Sequence, residues 1–276
     1  MEKIDLHIHS INSDGELNIY EIIKLATKNG CYKISITDHD FIDDYSSLVE
    51  SQLFEIINGI EFNCSIKGMH ILGYGIKNID NIKKVLNNLH SENQDVAIKL
   101  IEKLHNKGFN ISVQQLIAYL EVKNINYSFL DKRHVVKYLI ENKYTKDVYE
   151  TYKNLIGRGT DLYIPLKKIE PKEVLDLIHY NGGVSVLAHP FTLNYNNEDL
   201  LSIIKKQLNN GLDGIEIVNG NIKNEETDYY NKIAKDLNML RTIGSDFHSP
   251  NTRTIGVNYE EEIYPELIEK IKSRKV

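Results

Sequence analysis

Six places along this chain carry side chains able to bind a metal ion, each at or beside one end of a short apolar or β-branched run. The first run leads into His7-Ile8-His9 and then Ser13-Asp14-Gly15. The second ends Thr37-Asp38-His39-Asp40, and the third ends Gly59-Ile60-Glu61. The fourth opens on His70, the fifth ends Ala188-His189-Pro190, and the last ends Gly244-Ser245-Asp246-Phe247-His248. Another run ends Glu216-Ile217-Val218-Asn219, where Glu216 is a weaker candidate. In an extended strand residues i and i+2 share a face, so His7 and His9 can reach one ion, as can Asp246 and His248. Any one of these features has an ordinary structural explanation. Six of them at strand ends in one chain are hard to read as independent accidents. Imidazole and carboxylate donors without thiolate suit Mn, Fe or Zn rather than Ca.

The elements that must position these groups are legible from pattern. Strands are expected at Lys3–His7, Tyr32–Thr37, Phe54–Ile60, His70–Gly73, Gly183–Leu187, Gly214–Val218 and Leu240–Gly244. Between them run amphipathic helices with readable ends. Asn18 and Glu21 form a capping-box pattern, and Gly30 stops the helix that follows. Pro171 suits a first turn, and Gly182-Gly183 ends its helix. Such alternation predicts an α/β fold with a mainly parallel sheet, in which active sites form at the carboxyl ends of strands. The alternation fails between residues 82 and 163. There helices are expected at Ile82–Lys107, Ser112–Leu120, Asp131–Glu141 and Thr145–Ile156, with no strand among them. The expected organisation is therefore a metal-bearing barrel domain, 1–81 with 164–276, and an inserted helical cap subdomain, 82–163.

The 276 residues are 41% hydrophobic, enough for a sizeable core, and the formal net charge is −6, which argues against holding long nucleic acid by bulk electrostatics. The two cysteines cannot build a disulfide framework. The N-terminal residues show no secretory signal, and no apolar run is long enough to span a membrane, so a cytoplasmic protein is expected. Seventeen tyrosines are spread too widely to mark a base-stacking platform. His90, His105 and His179 fall within helical patterns and read as surface or packing residues.

Taken together, Asp5-Leu6-His7-Ile8-His9-Ser10 with Ser13-Asp14-Gly15, Thr37-Asp38-His39, Gly59-Ile60-Glu61, His70-Ile71-Leu72-Gly73, Leu187-Ala188-His189-Pro190 and Gly244-Ser245-Asp246-Phe247-His248 resemble the motifs of the PHP (polymerase and histidinol phosphatase) superfamily. The resemblance covers nearly the whole chain in order. It implies a distorted (β/α)7 barrel and two to three divalent metal ions, Mn, Fe or Zn. It also implies nine ligands: His7, His9, Asp14, His39, Glu61, His70, His189, Asp246 and His248. By the same resemblance one ion is held by His7, His9, Glu61 and Asp246. A second uses Glu61 as a bridge with His70 and His189, and a third uses Asp14, His39 and His248. Three divalent ions against three ligand carboxylates leave a surplus of about three positive charges, a pocket that needs an anion such as a phosphate ester. Clustered ions bring bridging water toward neutral pKa and neutralise phosphate oxygens, so phosphoester hydrolysis is the expected chemistry.

The cap carries a second candidate anion site. Asp131 is a plausible N-cap, which places Arg133 and His134 in a first helical turn where free N–H groups attract phosphate. Arg133-His134-Val135-Val136, with Leu155-Ile156-Gly157-Arg158-Gly159 and Tyr163-Ile164-Pro165, resembles the cap of the branch containing AMP phosphatase, 3′,5′-nucleoside bisphosphate phosphatase and RNase AM-like proteins. That branch usually has Ile-Ala where this chain has Val135-Val136. The resemblance implies substrate contacts from Arg133 and His134; Arg158, between two glycines, is expected either to contact phosphate or to cap the preceding helix. Asp14, His39, His248 and Arg133 are expected to act in the chemical step, none singled out as the general acid. The expected function is removal of phosphate from a 3′,5′-bisphosphonucleotide or AMP-like monoester, or 5′-3′ trimming of short RNA. The partner is a small phosphorylated nucleotide or a short RNA 5′ end, with no long duplex and no membrane; oligomeric state is left open. The alternatives are a histidinol-phosphate phosphatase and a non-catalytic PHP structural module.

Overall fold

The computed structural model describes residues 3–49, 54–123, 125, 129–220 and 224–276; Met1 and Glu2, where the N-terminal reading begins, lie outside them. The chain divides into two compact units, Met1–Lys84 with Ile169–Val276, and Val85–Lys168. These limits fall later on the chain than the 82 and 163 read from the sequence.

In the first unit seven strands form one sheet in chain order: β1 Lys3–Ile8, β2 Cys31–Ile36, β3 Glu55–Asn63, β4 His70–Tyr74, β5 Val184–Leu187, β6 Gly214–Asn219 and β7 Leu240–Gly244. Neighbours pair in parallel except that β4 runs antiparallel to both β3 and β5. The sheet is nearly closed into a barrel. Just past the ends of β1 and β7, the His9 N–H donates to the Phe247 carbonyl at 2.8 Å and the Phe247 N–H to that of His7 at 3.3 Å. Reversal of β4 has a direct consequence for the site. Its first residue, His70, pairs with Asn63 at the end of β3, so an N-terminal end lies on the rim formed by the other strands' carboxyl ends. Glu61, expected at the tip of its strand, lies within β3, which continues to Asn63.

Period-two alternation explains β1. Ile8 packs outward in an apolar cluster with Ile22 and Ala26 of helix α1, Ile19–Lys28, while Asp5, His7 and His9 carry buried polar side chains on the alternate face. Helix α1 begins as read: Asn18 accepts from the Tyr20 and Glu21 N–H groups, and Glu21 accepts from the Asn18 N–H at 2.9 Å. The unit is completed by α6 Pro171–Tyr180, α7 Asn197–Asn209, α8 Asn224–Asp236 and α9 Tyr264–Ser273. A short 3₁₀ turn, Pro190–Leu193, follows β5.

In the second unit the described elements are all helical. Helix α2, Ile79–Asn106, enters it and is followed by α3 Val113–Val122, α4 Lys132–Glu141 and α5 Val148–Thr151. The unit has its own core, which includes Leu100, Leu104, Leu116, Leu120, Val135 and Leu139. The helix expected over Thr145–Ile156 is shorter. It starts at an Asp147 cap, and Tyr152–Ile156 widen into a π-helical turn that ends with the Gly157 N–H donating to the Tyr152 carbonyl at 2.8 Å. Among the described residues no helix is long and apolar enough to cross a membrane.

Gly244 ends β7 against β1, where an added Cβ would stand 2.3 Å from the His7 Cβ and 2.8 Å from its backbone nitrogen. A Gly244→Ala variant is expected to lose about 1–3 kcal/mol of stability, since only a backbone shift makes room. Urea denaturation measures it; an unchanged midpoint would show that the two strands part freely.

Candidate metal centre

Nine imidazole and carboxylate side chains from six strand ends and their loops meet on one rim of the barrel. At the centre stands Glu61, 1% exposed, whose Oε2 lies 3.2 Å from His7 Nε2, 3.1 Å from His9 Nε2 and 3.2 Å from His39 Nδ1. Its Oε1 lies 2.8 Å from both His70 Nδ1 and His189 Nε2. Asp246 Oδ1 closes one side, 3.5 Å from His7 Nε2 and 3.3 Å from His9 Nε2. Asp14 faces His9 Nδ1 at 3.5 Å, His248 Nε2 at 3.4 Å and His39 Nε2 at 3.8 Å.

Three of these buried atoms, His7 Nε2, His9 Nε2 and Glu61 Oε2, have no hydrogen-bond partner of acceptable geometry. Stranding polar atoms in this way costs about 1–3 kcal/mol each unless something satisfies them. Four donors at roughly 2.1 Å from a tetrahedral ion stand roughly 3.4 Å apart. The observed separations of 3.1–3.5 Å match that spacing. Donor atoms able to hold a metal fall into three groups: His7, His9, Glu61 and Asp246; His9, Asp14, His39 and His248; and His39, Glu61 and His70. His189 joins through Glu61. The donors therefore do not divide as cleanly as the family resemblance implies, because His9 and His39 each face two groups. A neutral imidazole has one lone-pair nitrogen, so each can serve only one ion at a time.

Protein charges alone write the same demand for cations. Burial would lower His7, but the carboxylates of Glu216, Glu61 and Asp246 hold it well above the usual histidine range. Burial likewise opposes protonation of His9, yet contacts with Asp246 and Glu61 keep it up at about 10. His39, by contrast, is pushed down to about 3 by burial, which Glu61 only partly offsets. Burial favours a neutral Glu61, but the surrounding histidines hold it well below the carboxylate range.

A further layer of groups fixes the donors. The Glu216 carboxylate accepts from His7 Nδ1 at 2.9 Å and from the His189 N–H at 2.7 Å, so that Nε2 is the His7 nitrogen turned toward Glu61. His248 Nδ1 donates to the Asp246 carbonyl at 2.9 Å, which turns Nε2 toward Asp14. Asp38 accepts from the Ser10 N–H and from the Ser10 and Ser13 hydroxyls at 2.5–2.7 Å, pinning the loop that carries Asp14. Buried Asp5, pushed up to about 6 by desolvation, accepts from the Ser245 and Gly256 N–H groups at 2.8 Å. Arg253 Nη1 donates to the Ser245 and Asp246 carbonyls and pairs with Asp246 Oδ2 at 2.6 Å, so only Oδ1 faces His7 and His9. The Asp246 backbone sits at φ 52°, and His189 and Asp40 at φ 24° and 49°. Such conformations cost about 1–3 kcal/mol each and persist only where the surroundings dictate them.

Sequence reasoning ranked Glu216 too low and passed over Asp5, Asp38 and Arg253 as site residues. The signals for Asp5 and Asp38 were present: Asp5 is in phase with His7 and His9, and Asp38 adjoins His39. Arg253 lies in an irregular segment with no such signal.

Of the residues expected in the cap, Arg133 and His134 come together at the α4 N-terminus. The Asp131 carboxylate caps both N–H groups, and the Asp131 N–H donates back to His134 Nδ1 at 3.1 Å. Arg133 lies across its own cap: Nε and Nη2 reach Asp131 Oδ2 at 3.0 and 2.7 Å. Burial, reinforced by the neighbouring Arg133 and Lys137 charges, lowers His134 despite Asp131. Arg158 is exposed. Lys132, also passed over, is buried and donates to the Ile156 and Ile164 carbonyls at 3.2 and 3.5 Å.

Replacing Glu216 by Gln keeps the shape but removes the charge that orients His7. Metal affinity is expected to fall about 10–100-fold, read by competition against a chromophoric chelator; an unchanged affinity would show that His7 needs no anionic support.

Comparison with known proteins agrees with the fold and the family. A curated 5′-3′ exoribonuclease from Haemophilus influenzae is 25% identical over 255 residues, covering 90% of this chain and 91% of its own. A 3′,5′-nucleoside bisphosphate phosphatase from Chromobacterium violaceum is 22% identical, covering 96% of this chain and 94% of its own. Among solved structures, one from Bifidobacterium adolescentis, named provisionally as a metal-dependent phosphoesterase, superposes with a TM-score of 0.80 at 22% identity, over 99% of this chain and 96% of that one. The family model described as PHP domain matches residues 5–169, well over half of the chain, and the chain belongs to that family.

Proposed function

We propose that this PHP-domain phosphoesterase removes phosphate from small nucleotides, 3′,5′-bisphosphonucleotides or AMP-like monoesters, and acts on short RNA 5′ ends by the same chemistry. The observation that carries the reading is the set of stranded donor atoms, His7 Nε2, His9 Nε2 and Glu61 Oε2, meeting with Asp246 Oδ1 at metal-ligand spacing. The nucleotide part rests on the likeness to relatives named as a bisphosphate phosphatase and an exoribonuclease.

The nine residues His7, His9, Asp14, His39, Glu61, His70, His189, Asp246 and His248 would hold two to three divalent ions of the Mn, Fe or Zn type. Bound there, the ions supply a water nucleophile near neutral pH and offset the charge of the phosphate oxygens. Exposure divides the work among the side chains. His7, His9 and Glu61 are 0–1% exposed and serve only to bind and orient. Asp14, His39 and His248 are 32%, 13% and 31% exposed. They stand where substrate enters, and proton transfer to the leaving oxygen falls to groups on that side. In the cap, Arg133 exchanges its Asp131 partner for a substrate phosphate, with His134 and Arg158 contributing contacts. The planar guanidinium suits bidentate capture, and the α4 N-terminus adds its dipole.

The decisive assay measures phosphate release from adenosine 3′,5′-bisphosphate, AMP, histidinol phosphate and a 5′-phosphorylated trinucleotide by Mn²⁺-loaded protein. Turnover of one or more of the nucleotide substrates is expected; a fully loaded protein inert toward all of them would refute the reading. Asp246→Asn and His9→Ala are each expected to lower metal content and cut the rate at least a hundredfold, or about 2.7 kcal/mol. Retention of both metal and rate would contradict the ligand assignment. For Arg133→Ala the expected change is a higher KM for nucleotides with kcat largely kept. Identical kinetics would return Arg133 to a purely capping role.

A further inference from the structure

Beside the metal centre, in the same unit, lies a cavity of about 500 Å³ whose chemistry differs from that of the centre. It opens between the Pro190–Leu193 turn, which follows β5, and the start of α8, which follows β6. Both segments leave the carboxyl ends of strands, so the cavity stands on the functional rim of the barrel. Four aromatic rings line it, Phe191, Tyr195, Tyr229 and Tyr230, and its charged lining residues are Glu225 and Glu226.

Three observations narrow what it takes. First, it adjoins the donor cluster: the Phe191 ring meets the His189 ring at 6.2 Å and 71°, and His189 Nε2 is 2.8 Å from Glu61. One ring contact thus separates a wall of the cavity from a metal-ligand side chain. Second, the described lining contains two carboxylates and no cation, so it repels phosphate and admits the uncharged end of a phosphate-bearing molecule. Third, the walls combine aromatic faces with amide and carboxylate edges. Tyr195 is 46% exposed, Tyr230 only 4%, and Asn194 and Asn197 add amide groups. Flat rings beside hydrogen-bonding edges are what a nucleobase requires: stacking on its face, acceptors for its exocyclic amines.

We infer that this cavity is the nucleobase subsite of the enzyme, with Phe191 and Tyr195 as specificity-determining residues. The inference rests on the phosphoester reading above and adds to it the end of the substrate that does not react. It accounts for how an acidic protein selects nucleotides: phosphate is drawn to the metal-bearing centre, and the base is held by rings rather than by basic residues.

The test compares AMP with ribose 5-phosphate, which keeps the phosphoester and lacks the base, using Mn²⁺-loaded wild type, Phe191→Ala and Tyr195→Ala. Tyr195→Ala is expected to lose about tenfold in kcat/KM on AMP, the loss typical of one stacked base, with ribose 5-phosphate unaffected; Phe191→Ala, whose ring also meets the His189 ring, is expected to lose about tenfold more on AMP than on ribose 5-phosphate. Equal losses on both substrates would assign the rings a structural role, and no loss on AMP would place the base elsewhere. Calorimetric titration with adenosine reads the subsite without catalysis. Wild type is expected to bind it and the variants to bind it more weakly; no binding by wild type, or equal binding by all three, overturns the subsite. Adenosine binding with no phosphoester turned over would sink the proposed activity and leave the subsite standing.

Discussion

Glu61 is a carboxylate almost wholly removed from solvent, and five imidazole nitrogens, from His7, His9, His39, His70 and His189, lie within 2.8–3.2 Å of its two oxygens. A buried carboxylate is tolerated only with compensating positive charge, and half-compensation is worse than none. Most of the barrel's functional rim can be understood as the means of supplying that compensation. The strands bring five histidines to Glu61 from four directions, and Asp246 and Asp14 then require cations of their own. Protein groups alone answer by holding protons on His7 and His9. Divalent ions answer the same demand with higher charge and without hydrogen-bond geometry, which is why stranded donor atoms at ligand spacing are the telling feature.

Keeping so many like groups close together needs rigid support. That support is a set of charged or polar side chains that do not themselves face the centre: Glu216 on His7 and His189, Asp38 on the Asp14 loop, Asp5 and Arg253 on the Ser245–Asp246 turn. Left-handed backbone at Asp40, His189 and Asp246, none of them glycine, places side chains that an ordinary strand end would aim elsewhere. Chain reversal works to the same purpose. Because β4 is antiparallel, His70 at its beginning reaches the rim that the other ligands reach from the carboxyl-terminal parts of strands and the loops that follow them.

Much of this is legible in the residues themselves. The alternation of His7 and His9 across β1, the Asn18–Glu21 capping box, and the Asp131 cap ahead of Arg133 and His134 are local patterns. Each is decided within a few residues by strand or helix geometry. All seven strands are legible for that reason, β7 with the same bounds and the others within three residues at their ends. The misjudged features depend on partners distant in sequence. Glu216 reads as one more strand-end carboxylate until His7, 209 residues away, is placed against it. Arg253 carries no local signal at all. The π-helical turn at Tyr152–Ile156 breaks a helix that its own periodicity would have continued.

The identity of the metal-competent residues and the strand–helix alternation thus belong to the sequence, because side-chain chemistry and backbone periodicity are properties of short segments. The separations are tertiary. Only closure of the sheet sets His7 against Glu61 and Asp246, orders the donors into overlapping groups, and turns Arg253 onto the outer oxygen of Asp246. Only the loops that close over strand ends create the aromatic, acidic cavity beside His189. Three of the seventeen tyrosines that look scattered along the chain, Tyr195, Tyr229 and Tyr230, are gathered there with Phe191 by folding; their spacing in sequence could not disclose it. The net charge of −6 is likewise a property of composition, whereas the cation-seeking centre exists only where the fold concentrates nine ligand-type side chains at one rim.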